Sequence, residues 1–245
     1  MTDALVNTAI VAASVVSGML GIGVAFAALP LLSLGGGDLV NELQPVALFL
    51  NAVTALFSAV AYGRAGQIEW RSAGWISLVA TAMAPLGSLA ARTTNVGALW
   101  SAYLGAVLVV LVLTFARPPA LTTKRDLGAV LIATAPISLF SAMLGVGPGF
   151  LLVPIMLFMG WSARAAAAAN AVAVVPSSLA ALAPHLPSAD VDVAYYAPIV
   201  ALSAVASLAG GQLASRRMPE RGLRLLFAIA LAGLAAYKAI SLYGS

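Results

Sequence analysis

The chain contains no cysteine, a single histidine and very few charged residues. Charged residues make up only 8% of the 245 positions, whereas soluble globular domains carry about 25%. The missing cysteines exclude disulfides, thiol chemistry and thiolate metal sites, and the lone His185 excludes a histidine-rich metal cluster. Hydrophobic residues make up 62% of the chain. This composition predicts a polytopic membrane protein in which no stretch is polar enough to form a water-soluble module.

The net charge of +4 is no sign of nucleic-acid binding, because the basic residues stand in short loops, where they set membrane topology. The tripeptide Ala25-Phe26-Ala27 resembles a signal-peptide cleavage site. However, Asp3 stands where a signal peptide carries basic residues, and the apolar run is too long. We therefore interpret the first apolar run as a membrane segment. The inner (plasma) membrane is the expected location, and the lipid bilayer the expected surroundings.

One motif occurs twice. Residues 17–32 read SGMLGIGVAFAALPLL, and residues 141–156 read SAMLGVGPGFLLVPIM. Both copies are apolar stretches that are broken by glycines and followed by a proline, Pro30 or Pro154. Paired Gly/Pro-interrupted segments in two halves of a chain indicate the substrate site of a secondary transporter. We therefore divide the chain into an N-terminal half, 1–120, and a C-terminal half, 121–245.

The sequence contains eight apolar segments, and each reaches the roughly 20 residues that a membrane-spanning helix needs. The first and fifth are the long, broken ones. The segments are 4–34, 44–63, 72–92, 97–116, 127–159, 162–184, 193–215 and 221–243.

Counting basic residues favours one topology. If every segment crosses once, Lys and Arg divide equally between the two sides. If the first and fifth segments are hairpins, one side holds only Arg92 and Lys238, which is a clear positive-inside bias. The fold predicted is an all-α polytopic membrane protein of two inverted-topology repeats, each a broken hairpin plus three transmembrane helices. In this topology the side opposite Arg92 and Lys238 holds the other ten basic residues, Arg64, Arg71, Arg117, Lys124, Arg125, Arg164, Arg216, Arg217, Arg221 and Arg224. An alternative with ten crossings, in which each broken segment crosses the membrane twice, stays open.

The order of these motifs resembles the TauE/SafE family of sulfite exporters. The resemblance rests on the glycine-rich segments ending in proline, on Asn51 in the next span, and on the loop at 62–70, YGRAGQIEW. The glycines at 145–149 are close to the family pattern, whereas those at 21–25 lack its later glycines. The resemblance covers nearly the whole chain and implies a transporter of small anions such as sulfite or organosulfonates.

Neutral groups are expected to hold the anion, because every basic residue lies in a loop or near a segment end. A broken helix exposes backbone N–H groups, and the helix that follows directs its positive dipole end at the break. The alternative is that these glycines only allow close helix packing. The candidate glycines are Gly21, Gly23, Gly145, Gly147 and Gly149.

Two asparagines stand at equivalent places in the second and sixth segments, within the matching tripeptides Asn51-Ala52-Val53 and Asn170-Ala171-Val172. A buried amide must find hydrogen-bond partners in a membrane. Each asparagine therefore donates either to substrate oxygens or to free carbonyls of the broken helix. Weaker candidates are Pro30, Thr54, Ser58, Arg64, Pro154, Arg164, Ser177 and Ser178.

No acidic residue stands in the middle of a segment. If protons are coupled to transport, the carrier is expected to be the substrate itself or Glu69, Asp190, Asp192 or His185. We expect no enzyme, no catalytic residue, no cofactor and no metal, since neither a serine-protease motif nor a ligand cluster is present. The predicted function is secondary transport by alternating access at a site between the two halves. An anion channel and an uptake carrier for another small anion are the alternatives, and a homodimer is left open.

Overall fold

The computed structural model describes residues 3–115 and 125–223, together with 225, 226 and 229. All regular secondary structure in these residues is helical. Short 3₁₀ helices cover Ser33–Gly35 and Ala183–Ser188, and one π-helical turn covers Leu39–Leu43. The α-helices are α1 Asp3–Leu20, α2 Ala25–Leu32, α3 Gln44–Arg64, α4 Trp70–Thr93, α5 Val96–Phe115, α6 Leu127–Met143, α7 Gly149–Phe158, α8 Ala163–Leu182 and α9 Val193–Arg217.

Among the described residues, four helical stretches are long and apolar enough to cross a membrane. They are Leu39–Arg64, Trp70–Thr93, Ala163–Ser188 and Val193–Arg217. They contain α3, α4, α8 and α9 and overlap four of the predicted segments. The chain is therefore a multi-pass membrane protein by length and composition. Most of the eighth predicted segment, 221–243, lies outside the described residues, as do Arg117, Lys124, Arg224 and Lys238.

Each of the two broken segments consists of two helices joined at its glycines. We call residues 21–24, between α1 and α2, the first break, and residues 144–148, between α6 and α7, the second break. Gly21 and Gly23 have φ of 65° and 75°, and Gly145 and Gly147 have φ of 74° and 69°. Side chains with a β-carbon rarely adopt this left-handed conformation, so glycine is needed at all four positions. With 8 and 10 residues, α2 and α7 extend about 12 and 15 Å, half the thickness of a hydrocarbon core.

Helices from the two halves pack directly on each other. In the described part of the chain, α1 lies along α9, α6 along α4, and α8 along both α3 and α4. Small residues bring the backbones together at these contacts. A β-carbon built on Gly18 would lie 2.1 Å from the carbonyl oxygen of Ser207, and one built on Gly87 would lie 1.9 Å from that of Leu139. The core is therefore formed between the halves rather than within each one.

The described arginines of the predicted basic side lie together at one end of the bundle. There, Arg125 forms an ion pair with Glu69, and its guanidinium carbon stacks 3.4 Å from the ring centre of Trp161. Nearby, Gln67 donates a hydrogen bond of 2.7 Å to the carbonyl of Ser215 at the end of α9. Arg92 lies at the far end of α4, where it donates to the carbonyl oxygen of Pro184 at 2.7 Å.

Candidate functional site

The two breaks meet in the interior of the protein. A β-carbon built on Gly149 would lie 2.2 Å from the carbonyl oxygen of Ile22, so the start of α7 lies directly against the first break. Each break also lies against a helix of the other half. A β-carbon on Gly21 would lie 2.1 Å from the carbonyl oxygen of Ala167, and one on Gly145 would lie 2.4 Å from Cγ of Gln44. The close approach of Gly149 to the backbone of Ile22 therefore brings the two breaks together.

Asn51 lies between the two breaks and is fully buried. Its Oδ1 accepts a hydrogen bond from the backbone N–H of Ala25 at 2.9 Å, and its Nδ2 donates to Oγ of Ser178 at 2.9 Å. A β-carbon on Gly23 would lie 2.1 Å from Oδ1, and one on Gly147 would lie 2.4 Å from Nδ2. Only glycine at both positions leaves room for this side chain.

Asn170 is also fully buried and reaches the first break from α8. Its Nδ2 donates to the carbonyl oxygen of Gly21 at 2.7 Å, which is the capping interaction expected for a free carbonyl of a broken helix. The same nitrogen lies 2.9 Å from the place of a β-carbon on Gly149. Within the described part of the chain, no donor pairs with its Oδ1. The two asparagines thus hold the same region, but only Asn51 uses both ends of its amide.

Thr54 stands one turn after Asn51 and completes the first break. Its hydroxyl accepts from the backbone N–H of Val24 at 3.2 Å and donates to the carbonyl of Leu50 at 2.7 Å. In the second copy of the motif, Pro148 stands in the place of Val24 and has no N–H. Ala173, three residues after Asn170 as Thr54 is after Asn51, has no hydroxyl. The second break therefore lacks both the backbone donor and the hydroxyl acceptor of this hydrogen bond.

Pro148 is the N-cap residue of α7, which begins at Gly149. A proline is tolerated at this position, since its missing N–H would have no partner inside the helix.

The remaining hydroxyl candidates divide between the breaks and their own helices. Ser58 donates to the carbonyl of Gly18, one turn before the first break, at 2.7 Å. Ser178 receives the hydrogen bond from Asn51. Ser177 instead donates back to Ala173 in α8 at 2.8 Å. Of these three, Ser58 and Ser178 therefore support the region around the breaks.

Pro30 and Pro154 lie buried inside α2 and α7, beyond the breaks. A proline within a helix frees the carbonyl four residues earlier. For Pro30 that carbonyl belongs to Phe26, and it accepts a hydrogen bond from the hydroxyl of Tyr103. Tyr103 was not predicted, although a proline inside a helix is a sequence signal that such a partner is needed.

Arg64 and Arg164 lie at helix ends and not at the breaks. Arg64 is exposed at the end of α3. Arg164, in the first turn of α8, donates to the carbonyl of Met218 at 2.7 Å, and the carboxylate of Glu220 accepts from the backbone N–H of Ala163 at 2.7 Å. These contacts join the start of α8 to the segment after α9.

Several polar residues near the breaks were not predicted. Tyr62 donates to the carbonyl of Met19 at 2.5 Å, and Ser207 donates to that of Thr54 at 2.6 Å. Ser17 and Ser141 are equivalent positions of the duplicated motif, and their hydroxyls are buried without a partner among the described residues. Their recurrence in both copies was a usable signal, whereas nothing in the sequence pattern singles out Ser207.

The groups considered as proton carriers lie at helix ends. The hydroxyl of Ser72 holds the pKa of Glu69 below its usual value, and Arg125 adds to this effect. Asp192 caps α9 by accepting from the N–H of Tyr195 at 3.1 Å, and the N–H of Asp190 donates to the carbonyl of Asn41 at 3.0 Å. His185 is buried with Nδ1 2.9 Å from the carbonyl oxygen of Val40. None of these contacts involves a residue of either break.

A separate pocket of about 370 Å³ opens beside the loop before α3. Asp38 lines it and already accepts hydrogen bonds from the N–H groups of Val40 and Asn41, both at 2.9 Å. The hydrogen bonds from Asn41, donated by its backbone N–H and by its side chain, are the main cause that holds the pKa of Asp38 below its usual value. The described residues contain no group of three or more side chains that could hold a metal ion. The residues that line this pocket include none from either break.

Comparison with known proteins identifies the family of the chain and one relative. The sequence profile of the family "Sulfite exporter TauE/SafE" matches residues 6–238. A relative from Sinorhizobium fredii (strain NBRC 101917 / NGR234), described as "Probable membrane transporter protein y4hK", is 27% identical over 200 residues, which cover 77% of this chain and 79% of the relative. No solved structure matches the chain. Because the profile match covers nearly the whole sequence, the chain belongs to the sulfite exporter TauE/SafE family of transmembrane transporters.

Proposed function

We propose that this protein is a secondary transporter of small anions, sulfite or organosulfonates, that works by alternating access at a site between its two halves. The observation that carries the proposal is the meeting of both breaks at Asn51 and Asn170. Broken helices that meet between two halves are the usual substrate site of secondary transporters. Family membership supports the substrate class.

Neutral groups at the breaks suit a small anion. The first turn of a helix has N–H groups without partners inside the helix, and its dipole contributes roughly half a positive charge. The helices α2 and α7 both begin at the region where the breaks meet. The dipoles of both N-termini favour a singly charged anion at this place. The amide of Asn170 lies beside the start of α7, and Asn51 holds the start of α2.

The described conformation is closed at this site. Asn51, Asn170, Thr54 and Ser178 all have no exposed surface. Each asparagine donates one hydrogen bond to the other half, Asn51 to Ser178 and Asn170 to Gly21. We infer that the halves separate at these bonds to admit the anion, first on one side of the membrane and then on the other. Such closure favours a carrier over an open channel.

The inverted-repeat arrangement is part of the same proposal. The contact of α1 with α9 has its counterpart in that of α6 with α4, as a two-fold axis in the membrane plane would require. The arginine-rich end of the bundle would then face the cytoplasm of a cell whose inner (plasma) membrane holds the protein.

Uptake by purified protein in liposomes tests the function. Sulfite, sulfoacetate, thiosulfate, sulfate and acetate are offered in turn, with and without a proton gradient, and Asn170→Ala is measured alongside wild type. We expect saturable movement of sulfite or a sulfonate that is several-fold slower, though still measurable, in the variant. A rate that rises linearly with concentration indicates a channel. If none of the anions moves with folded protein, the proposed substrate class is wrong.

A further inference from the structure

The two breaks differ in how their polar groups are paired. At the first break, the N–H groups of Val24 and Ala25 donate to Thr54 and Asn51. Both of these acceptors belong to α3, in the same half of the chain as the break. The start of α2 is therefore satisfied by protein groups and has little left to offer a ligand.

The second break lacks this pairing. Pro148 has no N–H to offer, and Ala173 has no hydroxyl to accept one. The counterpart of Ala25 is Gly149, the first residue of α7, and α7 receives no hydrogen bond from the side chain of its cap residue. The amide of Asn170 lies against Gly149, yet its Oδ1 has no donor among the described residues. A buried acceptor and a helix N-terminus are thus left unpaired at one place.

These two unpaired features require different things of a ligand. The N-terminus of α7 attracts negative charge. An unpaired carbonyl oxygen repels negative charge, and leaving it buried without a donor is costly. A ligand that satisfies both must carry an anionic group and, beside it, an O–H or N–H group that donates to Oδ1.

Resting on the function proposed above, we propose that the second break binds the substrate and that Oδ1 of Asn170 selects anions that carry their own hydrogen-bond donor. Hydroxy- or amino-sulfonates and singly protonated oxyanions have this chemistry. Fully deprotonated dianions and sulfonates with purely apolar substituents do not. In this arrangement Asn51 holds the first break in shape, whereas Asn170 contacts the ligand.

Two sulfonates of matched size test the selection. In 1-propanesulfonate a methyl group replaces the hydroxyl of 2-hydroxyethanesulfonate, and both are single anions throughout the neutral pH range. Each is measured as an inhibitor of sulfite uptake into liposomes by wild type, Asn170→Leu and Asn51→Leu. We expect the hydroxy compound to inhibit wild type at roughly tenfold lower concentration, because a site built around a polar group discriminates strongly against a ligand that leaves it unpaired.

The variants assign the selection to one residue. Asn170→Leu is expected to bring the ratio of inhibitory concentrations close to one. Asn51→Leu should slow uptake but keep the ratio, since Oδ1 of Asn51 already accepts from Ala25. An equal effect of the two sulfonates on wild type, or no inhibition by either, overturns the inference while sulfite uptake still supports the function. A ratio that persists in Asn170→Leu removes Asn170 from the role. If Asn170→Leu does not fold, the wild-type ratio decides alone, and absence of uptake of every anion tested refutes the proposed function itself.

Discussion

Asn170 of α8 donates a hydrogen bond of 2.7 Å to the carbonyl oxygen of Gly21, which belongs to the other half of the chain. Gly21 has φ of 65°, so its peptide group is turned out of the helical path and its carbonyl needs a partner from elsewhere. In the interior of a membrane protein, water does not supply that partner. The bond therefore makes the shape of the first break depend on a residue of the opposite half, and separating the halves would take this partner away from the carbonyl of Gly21.

A series of Gly→Ala variants separates the two demands made on the break glycines. Gly66 has a positive φ but open space at the place of a β-carbon. Gly18 is helical, but a β-carbon there would clash with the backbone of Ser207. Gly21 has both a positive φ and such a clash, with the backbone of Ala167. We expect Gly66→Ala to cost about 1–2 kcal/mol from backbone strain and Gly18→Ala about 1–3 kcal/mol from overpacking. Gly21→Ala should cost about as much as the two together. The measurement is the free energy of unfolding in mixed micelles.

Gly74→Ala is the control for that series. Gly74 is exposed on α4 with nothing near its place for a β-carbon, so alanine there should be neutral or stabilise by up to about 1 kcal/mol. If Gly21→Ala costs no more than Gly66→Ala, the close contact between the first break and Ala167 is wrong.

The first break has Val24 and Thr54 where the second break has Pro148 and Ala173. We therefore expect substitutions at Val24 and Thr54 to be energetically coupled. Thr54→Ala alone leaves the N–H of Val24 buried and unpaired, which should cost about 1–3 kcal/mol. Val24→Pro removes that N–H, and the backbone accepts it because Val24 has φ of −92° and Pro148 has φ of −74°. The double variant should therefore be more stable than the sum of the single variants by about 1 kcal/mol. Strict additivity in a double-mutant cycle on unfolding free energies would contradict the Val24–Thr54 hydrogen bond.

Much of the helix layout could be predicted because the sequence marks it with strong local signals. The segment predicted at 44–63 is α3, Gln44–Arg64, and the one predicted at 193–215 is α9, Val193–Arg217. Continuous apolar runs, bounded by charged or turn residues, are sufficient for this. The glycines were equally informative, since positive φ at Gly21 and Gly145 requires their lack of a side chain.

The partners of each helix could not be predicted in the same way. Nearly every face of these helices is apolar, so the sequence shows no stripe that distinguishes the side of α1 that contacts α9. Alanine and glycine occur throughout and permit many close crossings. For the same reason, Asn51 and Asn170 were expected near the breaks, but the bond from Asn51 to Ser178, and those of Tyr62 and Ser207, depend on tertiary contacts that no local pattern records.

Glu69 is expected to stay ionised near neutral pH and not to act as a proton carrier. Ser72 and Arg125 stabilise its carboxylate and lower its pKa from the ordinary value of 4.5. The stabilisation is present above that value and is lost as the pH falls through the lower pKa of the folded state. We expect Glu69→Gln to remove a small acid-dependent loss of stability, below about 1 kcal/mol because the pair is largely exposed. If Glu69→Gln changes the pH profile of uptake between roughly pH 6 and 8, Glu69 does act as a proton carrier and this prediction is wrong.

Alternating access predicts that the break region opens to each side of the membrane in turn. The chain has no cysteine, so a single introduced thiol reports on its own site. Ser178 is fully buried and bonded to Asn51. We expect Ser178→Cys in oriented liposomes to react with a membrane-impermeant thiol reagent from either side, at rates that transported anion raises on one side and lowers on the other. Ala80→Cys, buried on α4, should stay unreactive. A carrier exposes its site to both compartments but never to both at once. Reaction from both sides with no influence of substrate would therefore indicate a continuous pore. Reaction from one side only would place Ser178 in a vestibule that opens to that side.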